Sequence, residues 1–136
     1  MTVGLALRFD LRAPGLDADE LSRFYAAALD MGEWADHLGF GRVTLSEHHG
    51  SVDNYLRSPM VIAAAIAART SRLRIDIRAV PAPFHDPLRL AEDLAVVDVV
   101  SGGRIGVAIA GGYVESEFAM FGRRPPDRPR TDAAAG

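Results

Sequence analysis

Apolar positions recur along this chain with two periods that take turns. Val3, Leu5, Leu7 and Phe9 alternate with Gly4, Ala6 and Arg8, and a period of two predicts a strand. Leu21, Phe24, Ala28, Met31, Ala35 and Leu38 follow at spacings of three and four, the pattern of an amphipathic helix. Asp17 or Asp19 offers its N-cap, and Gly39 supplies the left-handed residue that ends it. The run Arg42-Val43-Thr44-Leu45 predicts a second strand. Ser58-Pro59 then opens a helix, since proline at the first helical position loses no hydrogen bond. From Met60 to Ala68 that helix is apolar nearly all round, so it is expected to be well buried. Leu73, Ile75 and Ile77 predict a third strand. His85-Asp86-Pro87 repeats the cap-then-proline start, and Leu90, Leu94 and Val97 form a third helical face stopped by Ser101-Gly102-Gly103. Ile105, Val107 and Ile109 predict a fourth strand, and Glu115–Phe121 a fourth helix after Gly111-Gly112. The order βαβαβαβα with short connections argues for a parallel sheet covered by helices through right-handed crossovers.

Strand parity says where side chains go. Thr44, Ser46 and His48 share one face, and Val43, Leu45 and Glu47 the other. The apolar face meets the helices, so His48 is expected on the opposite face at the carboxyl end of the second strand. In parallel α/β proteins chemistry collects at those ends, and histidine is the side chain whose charge changes near neutral pH. On the fourth strand the same face carries Gly106, Ala108 and Ala110. Small residues there leave room for something flat and large, or else serve tight packing in the sheet. The third strand places Arg74, Asp76 and Arg78 on that face, which requires either ion pairing or exposure.

Composition narrows the possibilities. The chain has 136 residues, a formal net charge of -3 and 49% hydrophobic residues, with no basic field for nucleic acid or anionic lipid. All 15 basic residues are arginine, which removes Schiff-base and Walker lysines, and the absence of cysteine removes thiolate chemistry. No apolar run approaches the ~20 residues of a membrane span. The start lacks the layout of a signal sequence, so a cytoplasmic protein is expected.

The ordered motifs resemble one family. They are Gly39-Phe40, Glu47-His48-His49, Ser58-Pro59 with Ala68-Arg69-Thr70, and His85-Asp86-Pro87-Leu88-Arg89-Leu90-Ala91-Glu92-Asp93. After them come Asp98 with Ser101-Gly102-Gly103-Arg104, then Gly111-Gly112, Glu117-Phe118 and Phe121-Gly122. The chain is similar to the N-terminal half of the bacterial luciferase-like flavin-dependent monooxygenases, which include coenzyme F420-dependent relatives. The resemblance implies a TIM-barrel type (β/α)8 fold of which about the first four βα units are present, a half-barrel. It implies FMN, or alternatively coenzyme F420, in the barrel mouth. Molecular oxygen and a small-molecule substrate would be the paired reactants, with a flavin reductase as a partner. It makes His48 the catalytic residue, active in proton transfer. Glu47, His49, Glu92, Arg78, Ala79, Ala110, Gly111 and Gly112 become cofactor-site residues, with a non-prolyl cis peptide expected at Arg78-Ala79. Arg78 departs from the small residues usual at that bulge, where it either blocks the ring or meets its phosphate. Gly111 stands where the luciferase branch has a phosphate-binding arginine.

A barrel takes eight such units and typically ~250 residues. Residues 1–122 are therefore expected to form a partial barrel domain and 123–136 a loose C-terminal tail, in a fragment of a longer enzyme or a half-barrel that closes as a homodimer. Two other readings stand beside the monooxygenase. One is a non-catalytic flavin-binding or interaction module. The other is a metal hydrolase using Glu47, His48, His49, His85 and Asp86, although adjacent histidines seldom reach one ion together. Glu92, on the third helix, also reads as a solvated or capping carboxylate, and His85, Gly102-Gly103 and Gly111-Gly112 are otherwise accounted for as loop and turn structure.

Overall fold

A computed structural model of the protein describes residues 4–125. Four strands, β1 (Ala6–Phe9), β2 (Arg42–Leu45), β3 (Arg74–Pro81) and β4 (Ile105–Ala110), form one sheet in the order β1-β2-β3-β4, with every neighbouring pair parallel. The first three connections carry α1 (Ala18–His37), α2 (Pro59–Arg69) and α3 (Pro87–Ser101), and α4 (Glu115–Met120) follows β4. The observed first strand starts at Ala6; Val3 lies outside the described residues, as does most of the predicted tail.

Local chemistry sets the helix ends. Asp17 caps α1 in a reciprocal box with Glu20. At its far end the Phe40 N–H reaches the Ala35 carbonyl at 2.9 Å and Gly39 takes φ +79, a Schellman closure. α3 repeats the scheme. Asp86 accepts from the Arg89 N–H, and Gly103 N–H reaches the Asp98 carbonyl at 2.9 Å past a left-handed Gly102. α2 differs from expectation at its start, because the Ser58 side chain makes no capping hydrogen bond. Its last turn is closed instead by Arg104, whose guanidinium donates to the carbonyls of Ala67, Thr70 and Leu73. A cation at a helix C-terminus also suits the helix dipole.

The core lies between the sheet and the helices. Val43, Leu45, Ile75 and Ile77 are completely buried there with Ala63, Ile66, Ala67 and Leu73. α2 is not buried all round, as its pattern suggested. Val61 is two-thirds exposed, and Met60, Val61 and Ala64 share a surface groove with Ala95 and Val96 of α3. The inner face of the sheet is polar, and Asp76 lies buried at its centre. Arg42 donates to it at 3.1 Å, Arg74 at 2.9 Å, and Arg78 stands at 3.6 Å. Pairing and exposure therefore both operate. The carboxylate is neutralised, while the three guanidiniums stay about half exposed on an open face. Gly106 settles one open question, because a Cβ there would strike the Asp76 carboxylate and the Arg74 guanidinium. At that position the small residue serves packing and leaves no room for a ligand. No helix among the described residues is long and apolar enough to cross a membrane.

Candidate functional site

The site is built at the carboxyl ends of the strands. β2 ends at Leu45, and Ser46-Glu47-His48-His49 leave its tip. The loop that follows is tied back to the end of β1 by Leu56 N–H on the Asp10 carbonyl and Ala13 N–H on the Asp53 carbonyl. His48 N–H donates to the Leu56 carbonyl. Gly50 adopts φ +63 with the tip of Met120 of α4 against it, so a side chain there would be strained and would have to push Met120 aside. Within this loop the Ser51 hydroxyl, helped by Arg12, holds the Asp53 carboxyl below its ordinary range against the upward push of burial.

β3 carries a register shift between Arg78 and Val80, and the Arg78-Ala79 bond within it is cis, as the resemblance implied. These ends surround a recess of about 230 Å³. His48, Glu47, Arg78, Ala79, Ala110 and Gly112 line it, so six of the nine residues expected at the site come together there. Arg8, Ser46, Tyr55, Pro81, Tyr113 and Glu117 complete the wall.

Two carboxylates organise the histidines. Glu117 Oε1 stands 2.9 Å from His48 Nδ1 and accepts the His49 backbone N–H at 2.8 Å. Tyr55 and Tyr113 meet the His48 ring edge-on at 4.7 and 5.9 Å, which fixes its plane. Glu47, completely buried, presents Oε1 to both His49 Nε2 and His85 Nε2 at 2.8 Å each. Its other oxygen, Oε2, and Ser46 Oγ are buried without a hydrogen-bond partner. His49 thus turns away from the recess, towards Glu47 and the rings of Phe84 and Phe121.

Three expectations are corrected by position. Glu92 lies on the outer surface of α3, exposed and 4.0 Å from Arg89, because its helical phase faces away from the strand ends. Gly111 does not line the recess, although its neighbours Ala110 and Gly112 do. His85 is more than loop structure: its ring anchors Glu47. Glu117, Tyr55, Tyr113 and Arg8 were not singled out as site residues. The available signal for Glu117 was an acid in the first turn of a helix starting just beyond a strand's carboxyl end. Among the described residues no group of three His, Asp or Glu is arranged to hold a metal ion; the nitrogens of His48, His49 and His85 are instead taken up by hydrogen bonds to Glu117 and Glu47.

Parallel βα units with an imidazole–carboxylate site at the strand ends define a partial α/β barrel of the TIM type. Comparison with known proteins agrees. The family model for luciferase-like monooxygenases matches residues 1–134, and the chain belongs to that family. It is 30% identical over 105 residues to a 4-hydroxyprotoasukamycin monooxygenase of Streptomyces nodosus subsp. asukaensis, covering 77% of this chain and 28% of that one. It is 33% identical over 102 residues to a limonene 1,2-monooxygenase of Rhodococcus erythropolis, covering 75% and 26%. Among solved structures, a monooxygenase from Streptomyces bottropensis superposes with TM-score 0.78 at 31% identity over 89% of this chain and 37% of that one. The oxygenating constituent of 3,6-diketocamphane monooxygenase from Pseudomonas putida, solved with FMN, shares the fold with TM-score 0.82 at 23% identity. It is covered to 34%, and this chain to 91%. The chain thus spans about a quarter to a third of the length of the curated relatives it matches.

Proposed function

We propose that this chain carries the proton-handling wall of a flavin-dependent monooxygenase site, with His48 as the residue that moves the proton. The observation that carries the reading is the 2.9 Å contact of His48 Nδ1 with Glu117 Oε1 beside the recess. The carboxylate accepts, so Nδ1 bears the hydrogen and Nε2 keeps its lone pair; this tautomer is assigned from the partner. His48 is then a base at Nε2 and, once protonated, an acid at the same atom. Glu117 stabilises the protonated ring, and the two tyrosines hold its orientation.

The residues fit a flavin. Buried polar atoms are nearly always paired, and Ser46 Oγ and Glu47 Oε2 are two that lack partners on residues lining the recess. A ligand edge bearing its own donors and acceptors satisfies both. FMN is the proposed cofactor, with coenzyme F420 as the alternative. When bound and reduced, the flavin supplies the electrons that activate molecular oxygen, and a flavin reductase is the partner that renews it. The chain's own contribution is to bind, to orient through Ser46, Glu47 and the Ala79 segment, and to deliver or accept a proton at His48 Nε2.

At about 230 Å³ the recess is smaller than the roughly 300–1,000 Å³ of most ligand pockets. That favours a second reading, a module that binds flavin without turnover until further wall is supplied. One titration series tests both. The full chain is expected to quench riboflavin and FMN fluorescence with saturation below about 1 mM; no saturation by either flavin overturns the proposal. His48→Ala keeps that binding in both readings. It removes oxygen-dependent turnover of reduced flavin by about 10²-fold or more if the chain is a monooxygenase. If the chain is only a binding module, the variant and the parent chain match.

A further inference from the structure

Resting on the reading above, we propose that Arg8 and Arg78 form an oxyanion clamp at the mouth of the recess. The clamp would take the carboxylate or phosphate of the small-molecule substrate beside His48. Both residues line the recess. The Arg8 side chain makes no hydrogen bond or ion pair among the described residues. Arg78 has only the 3.6 Å approach to Asp76, whose carboxylate Arg42 and Arg74 already hold at 3.1 and 2.9 Å. The other carboxylates on the wall are engaged too: Glu117 binds His48 and the His49 backbone, and Glu47 binds His49 and His85. Four guanidiniums on the inner face (Arg8, Arg42, Arg74 and Arg78) therefore meet one carboxylate there, Asp76. The two whose side chains make no hydrogen bond to that carboxylate are those at the recess.

The spacing suits a shared anion. Arg8 is level with Thr44 on β2, and Thr44 with Asp76 on β3. Arg8 and Arg78 thus stand two strands apart and two residues out of level, roughly 11–12 Å between backbones at about 4.8 Å per strand and 3.3 Å per residue, a gap that two arginine side chains leaning towards each other can close on one anion. Only Ser46 and Thr44 lie between them on that face. A planar guanidinium presents paired N–H donors that match an oxyanion in bidentate fashion. The recess then has polarity: cations at the mouth, and an unpartnered acceptor, Glu47 Oε2, deeper in. The clamp selects molecules with an anionic group at one end.

The test labels arginines with phenylglyoxal in the full chain and reads each site by peptide mass spectrometry, with inorganic phosphate or malonate as probe. Saturable protection of Arg8 and Arg78 together by about fivefold or more, beyond that of the exposed Arg57 and Arg89, supports the clamp. Loss of Arg78 protection in Arg8→Gln, restored in part by Arg8→Lys, supports it further. Protection no greater than at the control arginines overturns it. Flavin titrations separate the two sources of anion. If riboflavin and FMN bind alike and malonate binds alongside riboflavin, the substrate assignment stands. If FMN binds about tenfold tighter than riboflavin and Arg8→Gln abolishes the difference, the clamp holds the flavin phosphate and the substrate assignment falls. If arginine protection persists while neither flavin binds, the flavin reading fails and the anion site remains.

Discussion

Single side chains at the strand ends divide the labour of this site. His48 faces the recess, whereas its neighbour His49 turns inward to Glu47. The difference is one residue of chain past a strand, where successive side chains leave on opposite faces. Glu117 ties both residues together, through the ring of one and the backbone of the other. In Glu117→Ala the His48 ring and the His49 N–H both lose the oxygen they share, Oε1. The expected outcome is a move of His48 from a single Nδ1–H tautomer to a mixture, read from its imidazole ¹⁵N shifts, with the fold unchanged. An unaltered tautomer in the variant would show that Glu117 does not set it. The buried Glu47 serves two imidazoles through the single oxygen Oε1, so loss of that oxygen leaves both rings without their partner.

Whole elements are held by a few polar side chains where chain direction changes. Asp36 in the last turn of α1 sits at the negative end of a helix dipole, an unfavourable place for a carboxylate. It is nevertheless buried, accepting from the backbone N–H groups of Ser71, Arg72 and Leu73 and from the Ser71 hydroxyl. Burial pushes its pKa up, and these hydrogen bonds outweigh that push, leaving it below its ordinary value of 3.8. A carboxyl depressed in the folded state stabilises the fold fully above its unfolded value. That contribution is lost as pH falls from about 3.8 through the lower folded value. Asp36→Asn turns an amide N–H₂ towards donors, and is expected to cost about 2–4 kcal/mol by urea denaturation near neutral pH. The difference from the parent chain is expected to shrink below pH 3.8; a constant difference across that range would overturn this account. Arg104 performs the matching task for α2, and its five donated hydrogen bonds knit α2, α3 and the start of β3.

Among the described residues the molecule is a sheet with two open edges and an uncovered inner face. There β1 and β4 each pair on one side only. On β4, Ile109 is 57% exposed and Val107 37% exposed, on the side that helices cover elsewhere in the sheet. Exposed, apolar, unpaired edges are templates for association. The chain is expected to form dimers or larger species in light-scattering chromatography, and Ile109→Lys to shift them towards monomer. A parent chain that stays monomeric at about 100 µM would contradict this picture. The arginine-rich inner face opposes face-to-face pairing of two copies, since like charges would meet. Edge pairing is therefore the expected mode.

Much of this was written locally. The periods of two and of three to four, the two Gly-ended helices and the cap-then-proline starts lie within a turn or two of chain. They determined the element order, the parallel sheet and the side of β2 on which His48 emerges. The motif order likewise carried the family and the cis bond at Arg78-Ala79. What local pattern does not encode is contact across 30 residues or more. The family resemblance placed Glu92 in the pocket, while the local pattern allowed a solvated carboxylate there and read His85 as a passive loop residue. Only the packing of α3 against the sheet decided that Glu92 faces solvent and that His85 reaches Glu47. Glu117 became the partner of His48 because β4 ends beside β2's neighbour and α4 folds back over both strand ends. Asp76 could be buried only because parallel register sets Arg42 one strand away while Arg74 lies two residues along its own strand. Local sequence chooses elements through backbone sterics and hydrophobic period; the charges of a site acquire their partners only when strands distant in the chain are laid side by side.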